Sequence, residues 1–223
     1  MGKDKLKRFA ENETFEHLFQ PKRTELDKGF ALKGDWKSFF KNDNPIVLEL
    51  GCGRGEYTIG LAKRYPNHNF IGVDIKGARM WRGAKTALED NMKNVAFLRT
   101  DIEILQHFFD PEEVSEIWIT FADPQIKYKR AKHRLTHPEF LNRYKSILKP
   151  EGKIHLKTDS EYLFGYTHGI IQLLNYPVVE TYHSIYEQVE EKDSVLLTIQ
   201  THYEEMWLKQ GKTIGYVCFL PNK

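Results

Sequence analysis

A chain of 223 residues with 33 basic and 31 acidic side chains carries a formal net charge of only +2, so global charge singles out no partner and any case for nucleic acid must be local. The length buries one substantial core and is short for two, which points to one domain with a decorated end. Cys52 and Cys218 stand far apart without CxxC or Cys/His ligand spacing, no apolar run approaches the roughly 18 residues of a membrane helix, and the first residues are charged, so zinc, membrane and secretion are not expected and the cytoplasm is the default.

Residues 1–33 are polar and broken, with Lys3, Lys5, Lys7, Arg8, Lys22 and Arg23 set among Phe9, Phe15, Phe19 and Phe30. Such a mixture suits phosphate contact and base stacking by an arm that orders on a partner, and equally a frayed terminus with hydrophobic anchors. The main domain is then residues 34–223, opening with a short helix over Asp35–Lys41.

Ile46–Leu50 is an aliphatic run containing one acid, entered from Asn44-Pro45, and reads as a buried strand. Gly51, Gly53 and Gly55 alternate behind it, where the backbone can take positive φ and pass close to a ligand. Helical spacing over Tyr57–Arg64 completes the layout of a nucleotide-binding turn. A dinucleotide fingerprint wants its third glycine at Glu56, and a carboxylate is a poor neighbour for pyrophosphate. Glu49 suits a cation, such as the ammonium and sulfonium of S-adenosylmethionine, and the run Glu49–Gly55 resembles the first motif of the Rossmann-like methyltransferases.

The second strand, Phe70–Ile75, holds Asp74, 19 residues beyond Gly55, where an acid can accept both hydroxyls of a ribose. A helix over Gly77–Asn91 and a strand over Val95–Leu98 follow; Asp101, just beyond, is placed for the adenine amine or to cap a helix over 102–109. Glu116–Phe121 is apolar enough for a central strand. Ligands of open α/β sheets bind at the carboxyl ends of strands, so Asp123 is expected to face the reactive methyl. Lys127, Lys129, Arg130, Lys132, His133 and Arg134 then form a basic run beside that mouth, which calls for an anionic substrate. Beyond it the spacing predicts a helix over Pro138–Leu148, a strand over Lys153–Lys157, a helix over Glu161–Asn175, a strand near 178–183, an acidic loop over Tyr186–Ser194 and an alternating last strand over Thr213–Leu220.

Several separate motifs together resemble the bacterial tRNA (guanine-N7)-methyltransferases: Glu-Leu-Gly-Cys-Gly-Arg-Gly at 49–55, Gly-Val-Asp at 72–74, Phe-Ala-Asp-Pro-Gln-Ile-Lys at 121–127 with its basic continuation, Lys-Thr-Asp at 157–159 and Thr-His-Tyr-Glu at 201–204. The resemblance implies a Rossmann-like, doubly wound seven-stranded sheet, mostly parallel with an antiparallel C-terminal strand. It implies methyl transfer from S-adenosylmethionine, without a metal, to guanine N7 in the variable loop of tRNA. It assigns Glu49, Gly51, Gly53, Asp74, Asp101 and Asp123 to the cofactor, Asp123 also to catalysis, and Lys127, Asp159, Thr201, His202, Tyr203 and Glu204 to the substrate. Monomer and homodimer both stay open. The family more often has proline at position 122 and tryptophan at 125, where this chain has Ala122 and Gln125, which removes the basis for stacking by that loop. A small-molecule or protein methyltransferase would not call for the basic run, a non-catalytic RNA-binding module would not need the four acids, and an NAD-dependent oxidoreductase is disfavoured by Glu56.

Overall fold

The computed structural model describes residues 3–222, apart from the side chains of residues 3 and 25. Met1 and Gly2, at the head of the expected arm, lie outside the described residues, as does the Lys3 side chain. The chain divides into two compact units, Met1–Asp110 and Pro111–Lys223.

In the first unit the elements are α1 (Lys3–Asn12), β1 (Leu18–Phe19), α2 (Trp36–Phe40), β2 (Ile46–Leu50), α3 (Glu56–Arg64), β3 (Asn69–Asp74), α4 (Gly77–Glu89) and β4 (Val95–Arg99), with 3-10 turns at Arg23–Lys28 and Ile102–His107. The strands lie in the order β1-β4-β3-β2 and all pairings are parallel. Every residue of β2 and β3 is buried, which is why their sequences run nearly continuously apolar. Residues of the expected arm are folded onto this unit. Asn12 Nδ2 donates to Gly77 O at 2.9 Å, and Glu11 accepts from Trp81 Nε1 at 2.6 Å and Lys85 Nζ at 2.8 Å, joining α1 to α4. Phe19 meets Trp36 edge-on at 5.4 Å, Phe30 meets Phe108 at 5.1 Å, and Trp36 stacks on Phe109 at 5.5 Å, so aromatics flanking α2 build a core of their own.

In the second unit follow β5 (Val114–Thr120), a 3-10 turn at Tyr128–His133, α5 (Pro138–Lys145), β6 (Leu148–Thr158), α6 (Glu161–Leu173), β7 (Val178–Tyr182), α7 (Ile185–Gln188), α8 (Val195–Thr198), α9 (His202–Leu208) and β8 (Gly215–Phe219). Their order is β5-β6-β8-β7, with β5 and β6 parallel and β8 antiparallel to both neighbours. The described residues thus form eight strands rather than seven. The addition is β1, whose two residues are too few to show an alternating pattern and which is held when Phe97 N donates to His17 O at 2.7 Å. A second difference is β6, which starts at Leu148 rather than Lys153: its register jumps between Val114↔Leu148 and Glu116↔Lys153, so the proline and glycine at 150 and 152 make a bulge inside a strand instead of a break before it.

Candidate active site

The glycine turn is shaped by β3. Gly51 N and Cys52 N both donate to Val73 O, at 2.8 and 3.1 Å, and Gly53 N donates to Asp74 Oδ2 at 2.9 Å. Gly51 and Gly53 hold φ of 76° and 55°, the region where a side chain is strained. Gly55, also at positive φ, has a second reason to lack a Cβ, which would lie 2.6 Å from the Phe97 ring. Asp74 Oδ1 accepts from Lys76 N at 2.8 Å, so two backbone amides fix the carboxylate at the end of β3. Glu49 is buried, and its Oε2 accepts from Thr58 N at 2.7 Å and from Thr58 Oγ1, tying β2 to the first turn of α3.

Asp101 stands half-buried two residues past the end of β4 and makes no side-chain capping bond to the 3-10 turn behind it. It opens on a recess of about 280 Å³ walled by Ile75, Ile104 and Leu26 and reached by Arg99 and Gln20. The apolar side chains of this mixed lining, with a carboxylate at one end, suit a purine carrying an exocyclic amine, and carboxylate oxygens such as those of Asp74 suit ribose hydroxyls. The residues of this unit fit an adenosine group.

In the second unit Asp123 stands exposed on the loop after β5. Two non-glycine residues of that loop adopt positive φ, Phe121 at 50° and Gln125 at 46°. Phe121 N donates to Lys157 O at 2.9 Å, and Gln125 N donates to Asp123 Oδ1 at 3.0 Å. Lys127, Lys129, Arg130, Lys132 and His133 are exposed, as is Tyr128 at 94 %, whereas Arg134, the last of the run, is buried. Asp159 is half-buried and accepts from Lys212 Nζ at 2.8 Å; that ammonium also lies 3.5 Å from the centre of the Trp207 ring.

The segment Thr201–Glu204 splits in two. Thr201 caps α9, its side chain accepting from Glu204 N at 3.1 Å, and Glu204 is fully buried. His202 and Tyr203 are exposed, their rings 6.0 Å apart. Glu204 faces Lys157, also fully buried, at 2.8 Å, and accepts from Tyr186 Oη at 2.8 Å. Lys157 Nζ donates further to Leu196 O at 2.8 Å and Ile199 O at 3.2 Å. Burial pulls the Lys157 pKa down and pushes Glu204 up, each opposed by its partner's charge; burial, then Glu204, also raises the Tyr186 phenol. Sequence reasoning named Lys157 and Gln125 within motifs without foreseeing their contacts, and missed Tyr186 and the separate place of Arg134. Only Lys157 left a signal, a cation directly after Ile154-His155-Leu156 near the end of β6.

A parallel strand–glycine turn–helix unit with an acid at the end of the next strand defines a Rossmann-like nucleoside-binding protein. The family profile described as a putative methyltransferase matches residues 43–217. The chain is 58% identical over 220 residues to a tRNA (guanine-N(7)-)-methyltransferase of Christiangramia forsetii, covering 98% of each chain. It is 52% identical to one of Bacteroides fragilis, covering 99% of this chain and 86% of the relative. In fold it is similar to the crystal structure of the 16S rRNA (adenine(1408)-N(1))-methyltransferase from Catenulisporales acidiphilia, with a TM-score of 0.59 at 15% identity over 90% of this chain and 95% of that one. The chain belongs to the tRNA (guanine-N7)-methyltransferase family.

Proposed function

We propose that this chain transfers the methyl group of S-adenosylmethionine to N7 of a guanine in the variable loop of tRNA, leaving S-adenosylhomocysteine. The observation that carries the reading is the exposed Asp123 carboxylate followed at once by exposed Lys127, Lys129, Arg130 and Lys132, in a chain 58% identical to a tRNA (guanine-N(7)-)-methyltransferase. When bound, S-adenosylmethionine supplies a methyl carbon made electrophilic by its sulfonium. Guanine N7 offers an in-plane lone pair with no proton at neutral pH, so no general base is needed. The N7–carbon bond forms as the carbon–sulfur bond breaks, and the positive charge passes to the base. Holding donor and acceptor in line supplies on the order of 7–11 kcal/mol toward such a step.

Asp74 accepts from the ribose hydroxyls and Asp101 from the adenine amine, while Gly51 and Gly53 let the backbone approach. Glu49 sets negative charge beneath the turn, beside which the cofactor's cationic end is favoured. Asp123 orients the donor and accepts from the N1–N2 edge of guanine together with Asp159; adenine offers no matching donors there. Asp159 exchanges its bond to Lys212 for one to the base. An RNA helix buries N7 in a deep, narrow groove, so the target base leaves its stack, and Lys127 with its basic neighbours holds the phosphates around it. His202 and Tyr203 meet the substrate, with Thr201 and Glu204 setting their helix. The exposed cations of residues 5–23 extend the phosphate contact. The enzyme works with its substrate in the cytoplasm as a monomer or homodimer, and its two buried, free cysteines fit a reducing compartment.

A tRNA transcript made with 7-deazaguanosine tests the acceptor atom. The normal transcript is expected to take up methyl from labelled S-adenosylmethionine and the 7-deaza transcript none. Equal uptake by both would exclude N7.

A further inference from the structure

Arg134 ends a run of cations but does not share their environment. It is 4% exposed, while its basic neighbours from Lys127 to His133 lie at the surface. Its guanidinium lies over the rings of Tyr166 at 4.4 Å and Tyr162 at 5.0 Å. Nη2 donates to Tyr162 Oη at 2.6 Å and to Gln125 O at 3.2 Å. Among the described residues no carboxylate pairs with it, and its buried Nε has no acceptor. A buried cation without a counter-ion is costly to keep, so a purely structural position would be better filled by an apolar side chain.

The other end of the contact is the strained residue of the loop. Gln125 holds φ of 46°, and three of its four polar groups are engaged: N donates to Asp123 Oδ1 at 3.0 Å, O accepts from Arg134, and Oε1 accepts from Arg130 Nε at 2.7 Å. On the far side of Asp123, Phe121 is likewise at positive φ and is tied through its own N to Lys157 O. Asp123 is thus suspended between two left-handed residues, each anchored to a buried cation's residue. Such strain persists only where the surroundings impose it.

We propose that Arg134 is a positioning residue for methyl transfer: from its buried seat between Tyr162 and Tyr166 it fixes Gln125 in the left-handed conformation and so aims the Asp123 carboxylate. The inference rests on the proposed function. Lysine cannot replace it, because only a planar guanidinium stacks on both rings while bonding to the tyrosine hydroxyl and the carbonyl together.

The test is steady-state kinetics of Arg134→Lys and Arg134→Ala with tRNA and S-adenosylmethionine, 7-methylguanosine being quantified as product and the unfolding midpoint measured alongside. Arg134→Lys is expected to lose about 10²-fold in kcat, the scale of an ångström of misplacement, with KM for S-adenosylmethionine and the fraction folded unchanged. Arg134→Ala is expected to regain activity on addition of millimolar ethylguanidinium. A wild-type kcat in Arg134→Lys, or a loss that follows the folded fraction and ignores ethylguanidinium, overturns the proposal. Should neither variant fold, Tyr162→Phe keeps the ring and removes one bond of the clamp: a lower kcat at unchanged KM supports it, an unchanged kcat overturns it. If the wild-type protein forms no 7-methylguanosine, the functional reading fails first and this proposal with it.

Discussion

Lys157 and Glu204 are both fully buried and lie 2.8 Å apart, so each is tolerated only because of the other. Lys157→Met leaves the buried Glu204 carboxylate with the Tyr186 hydroxyl but without its cation, and is expected to cost about 3–5 kcal/mol in denaturant unfolding; adding Glu204→Leu should restore much of that loss. A single variant as stable as wild type would deny the pair its role. His17 carries a pH dependence. Burial holds it below its ordinary value of 6.5, its Nε2 lying 2.8 Å from Ala84 O. The unfolded chain therefore takes up the proton more readily, so the contribution of His17 is intact above pH 6.5 and is lost as pH falls through the lower folded value. Unfolding midpoints are expected to drop between about pH 7 and pH 5, and His17→Gln to flatten that slope. The place of Asp74 at the end of β3 and of Asp101 just past β4 was legible because apolar runs that stop at an acid mark strand ends in sequence. Glu204 was legible as part of a motif but not in its role, since no spacing rule says whether an acid faces substrate or a lysine 47 positions away.

Among elements, the glycine turn is the one most completely written in its sequence. Alternating glycines behind an apolar strand allow few geometries, and Gly55 is doubly constrained by φ of 73° and by Phe97 2.6 Å from where a Cβ would stand. Gly55→Ala is expected to lower stability by about 2–4 kcal/mol, overpacking and backbone strain adding, and to weaken S-adenosylmethionine binding in calorimetry. Wild-type stability and affinity would mean that the ring yields freely. By contrast, β1 was not legible, for two residues inside a polar stretch carry no period, and the early start of β6 was hidden because Pro150 and Gly152 read as a stop while the register in fact steps past them. The one-turn helix α7 was hidden inside a segment that reads as an acidic loop. Helices α3, α4 and α6 begin within a residue of where the pattern set them, because amphipathic spacing survives whatever packs against it.

For the whole molecule, a net charge of +2 hides a local concentration of cations, and binding of tRNA should report the local value. Four phosphate contacts from Lys127, Lys129, Arg130 and Lys132 predict that affinity falls roughly 50- to 150-fold between about 50 and about 200 mM salt in filter binding. An affinity indifferent to salt would remove the basic run from the interface. Asp123→Asn should leave that affinity in place while lowering kcat/KM by about 10²-fold, because the proposed role of the carboxylate is toward the reacting base and donor rather than toward phosphates. Near wild-type methylation in Asp123→Asn with loss in Asp159→Asn would reverse the roles given to the two acids.

Membership of the tRNA (guanine-N7)-methyltransferase family leads to the expectation that this chain makes 7-methylguanosine in tRNA. The most direct measurement is to incubate the protein with unmodified tRNA and S-adenosylmethionine, digest the RNA to nucleosides and identify the methylated product by mass spectrometry. The expected product is 7-methylguanosine, formed by the wild-type protein and nearly absent with Asp123→Asn. Methyl found on any other nucleoside, or cofactor bound with none transferred to tRNA, would contradict it.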